Sequence, residues 1–331
     1  MPFTERTAIE AGFAKVHDDR IAPELARLDS QRQALLKKAK LHAGIPLGIA
    51  AILALAALWK GDDLTGKLVG AGVLLALGGV VAFLLWRRQA RSWGGSVADT
   101  IMPVLCEFLG DLSYDREARL RFPVDRLQGL GMIGSFNRTS MEDRIEGSYR
   151  DTGFEMVEAR LTYRDTDSDG DSRNKTVFKG LLFRIDVPEP VPTDILIARD
   201  HGSVGNKLAG MFAGSTGRGM PRVEFDHAAF EKAFAVHAGV PDAARRMMPA
   251  PFLDNLIAIA ESESDRGTGG MTAAFQGQSF YLALWRDGDF LKMGSLTTPV
   301  DEIEDDLHRV FDDLALVRRI IDRLHGDAPA G

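Results

Sequence analysis

Residues 43–59, AGIPLGIAAILALAALW, and residues 68–86, LVGAGVLLALGGVVAFLLW, contain no charged side chain. About 17 to 25 apolar residues at 1.5 Å rise cross a hydrocarbon core, so each run has spanning length, the first at the lower limit. The polar stretch between them, KGDDLTGK, is too short for anything but a tight turn. The two spans therefore run antiparallel, as a transmembrane helical hairpin with both chain ends on one side of the membrane. Trp59 and Trp86 close the spans, where amphipathic rings favour the interface. Lys37, Lys38 and Lys40 precede the first span, and Arg87, Arg88 and Arg91 follow the second. In the turn, Lys60 and Lys67 are offset by Asp62 and Asp63. Flanking cations translocate poorly, so both termini are expected in the cytoplasm. A buried hairpin of a soluble protein would normally carry a polar stripe, which these runs lack. The stretch before the first span is long and charged, and a second span follows at once, so the first is not a cleavable signal. Gly44 with Gly48, and Gly66 with Gly70, have the GxxxG spacing that permits close helix contact.

The rest of the chain is globular in composition. Of its 331 residues 45% are hydrophobic and 26% charged, and the mean hydropathy of −0.08 conceals the concentration of apolar residues between 43 and 86. A formal net charge of −7 argues against a nucleic-acid partner, which would call for a basic face. The partners expected are membrane lipid and a protein, further copies of this chain included. With Cys106 as the single cysteine, neither an intramolecular disulfide nor a thiolate zinc cage can form.

Residues 1–42 read as an amphipathic cytoplasmic helix in which Phe13, Val16, Ile21, Leu25, Leu28 and Leu35 share a face, with a break near Pro23. Residues 87–129 read as a juxtamembrane helical region, where Ile101, Leu105, Phe108 and Leu112 repeat the pattern. Together these form either a stalk or partner-binding bundle, or a cap on the soluble domain. From residue 130 to 326 an α+β cytoplasmic domain is expected, mainly antiparallel sheet with flanking helices, followed by a disordered tail at 327–331. Val157, Ala159, Leu161 and Tyr163 alternate with Glu158, Arg160, Thr162 and Arg164, the pattern of a half-buried strand. A second strand at 176–186 is apolar on both faces and therefore central, with DTDSDGDSRN as the hairpin loop between the two. DILIA from Asp194 is a short strand, FEKAFAVHA from Phe230 and PFLDNLIAIAES from Pro251 are helical, and residues 272–275 pair with 279–286. The last helix is capped by Thr298, with Pro299 in its first turn, acids at its start, arginines at its end and a stripe from Ile303 to Leu324.

The blocks DRIEGSYRDTGFEMVEARL (143–161), VFKGLLFRID (177–186), FEKAFAVHAGVPDAARRMMPAPFLDNLIAIAES (230–262) and MTAAFQGQSFYLALW (271–285) resemble a bacterial membrane-protein family catalogued as a domain of unknown function. What the resemblance implies is an architecture, a two-span anchor before a cytoplasmic domain, and an address in the bacterial inner membrane. It implies no reaction, substrate or catalytic residue, and the acidic loop at 165–171 departs from it.

Asp165, Asp167, Asp169 and Asp171 stand at alternate positions with Gly170 among them, the front half of an oxygen-rich calcium loop. Position twelve is Thr176 where a bidentate Glu is needed, position nine is Arg173, and the flanks are strands. The alternative is a solvated hairpin tip, and no other cofactor is expected. The glycine-rich stretch GSVGNKLAGMFAGSTGRG (202–219) fails the phosphate-loop spacing. It reads either as a flexible loop or as a short interfacial helix whose Leu208, Met211 and Phe212 face lipid while Lys207, Arg218 and Arg222 face headgroups. Asp200 and His201 form a surface pair. No nucleophile elbow, CxxC pair or dinucleotide turn occurs. Glu142, Asp143, Glu146, Glu155 and Glu158 are either a catalytic carboxylate cluster or alternate strand positions facing water. Two uncharged spans give no polar lining for a channel. The expectation is thus a non-enzymatic, membrane-tethered module that binds a protein partner or small ligand, the alternative being a membrane-bound hydrolase or transferase using scattered carboxylates.

Overall fold

The computed structural model describes residues 3–59, 64–118, 122–166, 172–199, 219–264, 268–288 and 290–326, which form two compact units. The turn at 60–63, Asp167, Asp169 and Asp171, the stretch 200–218 with His201, Leu208, Met211 and Phe212, and the tail at 327–331 lie outside the described residues.

The first unit takes in the chain up to Phe108 together with residues 292–310. Its N-terminal segment is not one helix broken near Pro23. A 3₁₀ turn at Ala8–Glu10 leads through Gly12, at φ +87°, into a short helix α1 (Phe13–Val16) and a π-helical stretch His17–Ile21. From there α2 (Ala22–Trp59) runs unbroken. The widened π turn, in which the N–H of Ala22 reaches the carbonyl of His17, absorbs the misfit of a proline that has no N–H to donate. Helix α3 (Leu64–Leu109) is likewise continuous, so the expected span and juxtamembrane helices are single rods of 38 and 46 residues.

The rods are antiparallel neighbours. Phe13 meets Phe108 with ring centroids 5.1 Å apart, and Arg20 pairs with Glu107 at 2.8 Å. Further along, a Cβ built on Gly78 would lie 2.3 Å from that of Ala50 and 3.2 Å from the carbonyl oxygen of Pro46. Small side chains, Ala50 and Ala54 on α2 and Ala71 and Ala82 on α3, are buried here. The close contact is therefore not made by the expected GxxxG pairs, since Gly44, Gly48 and Gly70 face open space. Both helices are long and apolar enough to cross a membrane. Ile45, Ile49, Ile52, Leu55, Leu77 and Phe83 project outward uncovered.

The second unit holds residues 109–291 and the chain from Phe311 onward. Nine described strands form one antiparallel sheet in the order β1-β2-β3-β4-β9-β8-β5-β7-β6. They are β1 (Ser113–Asp115), β2 (Arg138–Tyr149), β3 (Thr152–Thr166), β4 (Ser172–Asp186), β5 (Ile195–Arg199), β6 (Arg222–Val223), β7 (Phe234–Ala238), β8 (Thr268–Gln276) and β9 (Ser279–Arg286). The helices are α4 (Val124–Leu130), α5 (Ala228–Ala233), α6 (Pro241–Met247), α7 (Ala250–Ser264) and α8 (Glu304–Leu324), whose first part up to Val310 belongs to the first unit. β4 is central and buried on both faces, as its apolar run requires. On one face Val157, Leu161, Phe178, Leu182 and Tyr281 pack against Val124, Leu127 and Leu130 of α4. On the other, Phe154, Ile185, Phe280, Phe275 and Ile195 lie opposite one another across five strands.

Two local expectations fail. The stretch from Phe230 is helical only to Ala233, after which Phe234–Ala238 pairs with β5 as a strand. Thr298 does not cap the last helix. Pro299 caps a 3₁₀ turn, Val300–Glu302, and α8 begins at Glu304.

Candidate functional site

The register of the hairpin sets the geometry of its ends. Counting equal rises away from the Gly78–Ala50 contact places Lys40 level with Arg88 and Lys37 level with Arg91. Lys37, Lys38, Lys40, Arg87, Arg88 and Arg91 are all exposed, within a band about 6 Å tall. No aspartate or glutamate occurs from Gln31 to Trp59 or from Leu64 to Ala98. Trp86, half-buried, is level with His42 at this cationic end, whereas Trp59, 95% exposed, ends α2 at the other. About 26 Å separates the two tryptophan levels, close to the ~30 Å of a hydrocarbon core.

The second unit contains a cavity of about 180 Å³. Its floor is Ile185, Phe275 and Ile321, its walls include Met247, Phe252 and Leu324, and Thr152, Asp186 and His325 stand at its mouth. Phe252 packs on Phe275 at 5.7 Å between centroids, so α7 and the end of α8 roof the sheet row that carries Ile185 and Phe275. The rim is built by a strained turn. Arg150 and Asp151 join β2 to β3 at φ +52° and +60°, in the left-handed region that favours glycine or asparagine. Asp322, buried on α8, holds the turn by accepting from Arg150 Nη1 at 2.9 Å, while Tyr149 Oη lies 3.4 Å from its other oxygen. Thr152 Oγ1 and His325 Nε2 are 3.0 Å apart. Burial, then the neighbouring Asp322 carboxylate, push the Tyr149 phenol up. The Arg318 guanidinium lies 5.1 Å from the Tyr149 ring centroid and donates to the carbonyl of Leu109 at 2.7 Å. Burial holds it below the usual range for a guanidinium. None of this rim was singled out in the sequence, because it joins a β-turn to a helix end more than 150 residues away and leaves no local spacing to read.

The carboxylates that were singled out do not line this cavity. Glu155, 2% exposed, accepts from Arg144 Nε at 2.6 Å and lies 3.4 Å from Arg184 Nη2, and Glu146 also pairs with Arg144. A bulge between Glu142 and Ile145, with Asp143 at φ +56°, turns Arg144 onto the face carrying Glu155. Asp143 accepts from Tyr114 Oη at 2.5 Å, and Glu158 from the backbone N–H of Phe290 at 2.8 Å. The alternate-position pattern thus does not leave all these acids facing water. Arg144 and Glu155 form a buried ion pair instead.

Asp165 is opposite Arg173 in the β3–β4 register, and Thr176 is paired on β4 with Thr162. Among the described residues no group of three or more His, Cys, Asp or Glu side chains is arranged to hold a metal ion. Cys106 is buried, and burial pushes its thiol up to about 12.

No curated protein matches this chain. Among solved structures, the crystal structure of the mycobacterial trehalose monomycolate transport factor A, TtfA, covers 67% of this chain and 91% of its own, at 9% identity and a TM-score of 0.33. The family match covers three of the four blocks quoted above and begins after the block at 143–161. Residues 176–325 match the model of a family described as a protein of unknown function, DUF3137.

Proposed function

We propose that this protein is a two-pass inner-membrane protein of bacteria, with both termini cytoplasmic, whose α+β domain is a non-enzymatic binding module. The anchor holds the module at the membrane, and the domain binds a small ligand in the cavity between β4, α7 and the end of α8. The observation that carries the binding reading is the composition of that cavity. Its floor and walls are apolar, and its volume of about 180 Å³ has room for an aromatic ring or a short alkyl group. What favours binding over hydrolysis or group transfer is that Glu146, Glu155 and Glu158 are engaged in ion pairs or a backbone hydrogen bond elsewhere. A protein partner that inserts one apolar side chain is accommodated by the same space, and neither nucleic acid nor a cofactor enters this reading.

The test is to purify the full-length protein in detergent and identify co-purifying small molecules and proteins by mass spectrometry, beside a variant that fills the cavity from Val187, another of its lining residues, Val187→Trp. The expected result is a component present with the parent and depleted with the variant. A folded variant that retains every component of the parent contradicts the reading. Calcium at Asp165–Asp171 is tested separately: a melting temperature unchanged by millimolar Ca²⁺ rules it out.

A further inference from the structure

The six cations at one end of the hairpin have no partner in the described structure. Lys37, Lys38 and Lys40 are exposed on α2, Arg87, Arg88 and Arg91 on α3, and no ion pair or side-chain hydrogen bond within the described residues engages any of them. Arginines elsewhere in the same unit do find carboxylates: Arg20 pairs with Glu107 and Arg32 with Asp29, both at 2.8 Å. The difference lies in the sequence, which places no acid among residues 31–59 or 64–98. Six like charges packed in a band about 6 Å tall repel one another, and in a chain of net charge −7 they form a local excess of the opposite sign. The rod from Leu41 to Trp59 rises about 28 Å, so the band sits one hydrocarbon thickness from the Trp59 end of α2, at headgroup depth. At the opposite end Lys60 and Lys67 are matched by Asp62 and Asp63 in sequence.

We propose that this collar binds the phosphate headgroups of anionic phospholipids, in one leaflet only. The proposal rests on the hairpin spanning a bilayer, and it adds a lipid class and a side. Juxtamembrane cations attract anionic lipid through its negative surface potential, an attraction confined to about a Debye length. A zwitterionic headgroup offers no net charge to that field. Arg87, Arg88 and Arg91 present guanidinium groups suited to phosphate oxygens, and the lysines supply compact point charges on the facing rod.

The experiment uses the full chain reconstituted in phosphatidylcholine vesicles containing a minor fraction of phosphatidylglycerol. Spin-labelled phosphatidylglycerol or spin-labelled phosphatidylcholine then reports the fraction of lipid immobilised on the protein. The expected result is a preference for phosphatidylglycerol of about threefold or more, falling towards one at high salt and in the variant with Lys37, Lys38, Lys40, Arg87, Arg88 and Arg91 all changed to Gln. If that variant fails to fold, Arg87→Gln, Arg88→Gln and Arg91→Gln alone are expected to lower the preference by about half. Equal immobilisation of the two lipids, or a preference that survives in a folded variant, overturns the proposal while the spanning hairpin stands. Release of the parent protein from vesicles by alkaline carbonate removes the hairpin reading, and this proposal with it.

Discussion

Gly78 sits directly on Ala50: a methyl group on the glycine would lie 2.3 Å from the alanine Cβ, closer than two carbons can approach. The pair fixes the distance between the rods and the axial register that brings Lys40 level with Arg88. Between apolar helices in lipid, association depends on close packing of small residues. Gly78→Ile is therefore expected to separate the rods and cost about 1–3 kcal/mol, read as a lower melting temperature in detergent. Gly70→Ile, whose side chain meets open space, is the matched control and is expected not to lower the melting temperature.

Arg144 and Glu155 are both buried, with side chains 11% and 3% exposed. Removing one charge leaves the other stranded in a low-dielectric setting. Arg144→Met is expected to lose about 3–5 kcal/mol in a denaturant titration. Arg184 keeps a contact to Glu155, which sets the loss at the low end of that range. The double change Arg144→Met with Glu155→Leu removes both charges and recovers most of the loss.

Glu10 is 1% exposed and bonded on every side. Burial pushes its carboxyl up, but His308 Nδ1 at 2.7 Å and the backbone N–H groups of Arg6 and Thr7 outweigh that, and the group is held below its ordinary value of 4.5. A lowered carboxyl stabilises the fold above its unfolded value and loses that contribution as pH falls through the folded one. The parent is therefore expected to lose stability from about pH 5 downward. Glu10→Gln, less stable at pH 7, should show a shallower loss over the same window, measured by chemical denaturation at each pH.

Cys106 is the single cysteine, buried at 2% exposure with its thiol pushed up to about 12. A thiol so placed is almost wholly protonated at neutral pH, and the thiolate is the reactive form. Native protein at pH 8 is expected to resist iodoacetamide, whereas denatured protein gains one adduct, read as a mass shift.

How much of this was legible in the sequence follows from the range of the interactions. The spans, the alternation in β3, the central run of β4, the turn before β9 and the stripe of α8 are written in neighbouring residues, where solvation and period act. The glycine contact was misplaced because GxxxG spacing describes a possible face, while the face used depends on how two rods meet. β7 was hidden because Phe234, Val236 and Ala238, alternating as a strand requires, follow a helical turn within one apolar run. The ion pair of Arg144 with Glu155 depends on a bulge at Asp143, and the cavity rim joins Thr152 to His325. Pairings across such separations have no local period, so only the folded chain shows them.

The central claim is that α2 and α3 cross a bilayer and return the chain to the side it left. In a Cys106→Ala background, single cysteines at Gly61→Cys and Gly331→Cys can be labelled in sealed vesicles with an impermeant maleimide. The account predicts that, in inverted inner-membrane vesicles, Gly331→Cys is labelled at once and Gly61→Cys only after the membrane is permeabilised. Labelling of both positions before permeabilisation, or of Gly61→Cys alone, would contradict it.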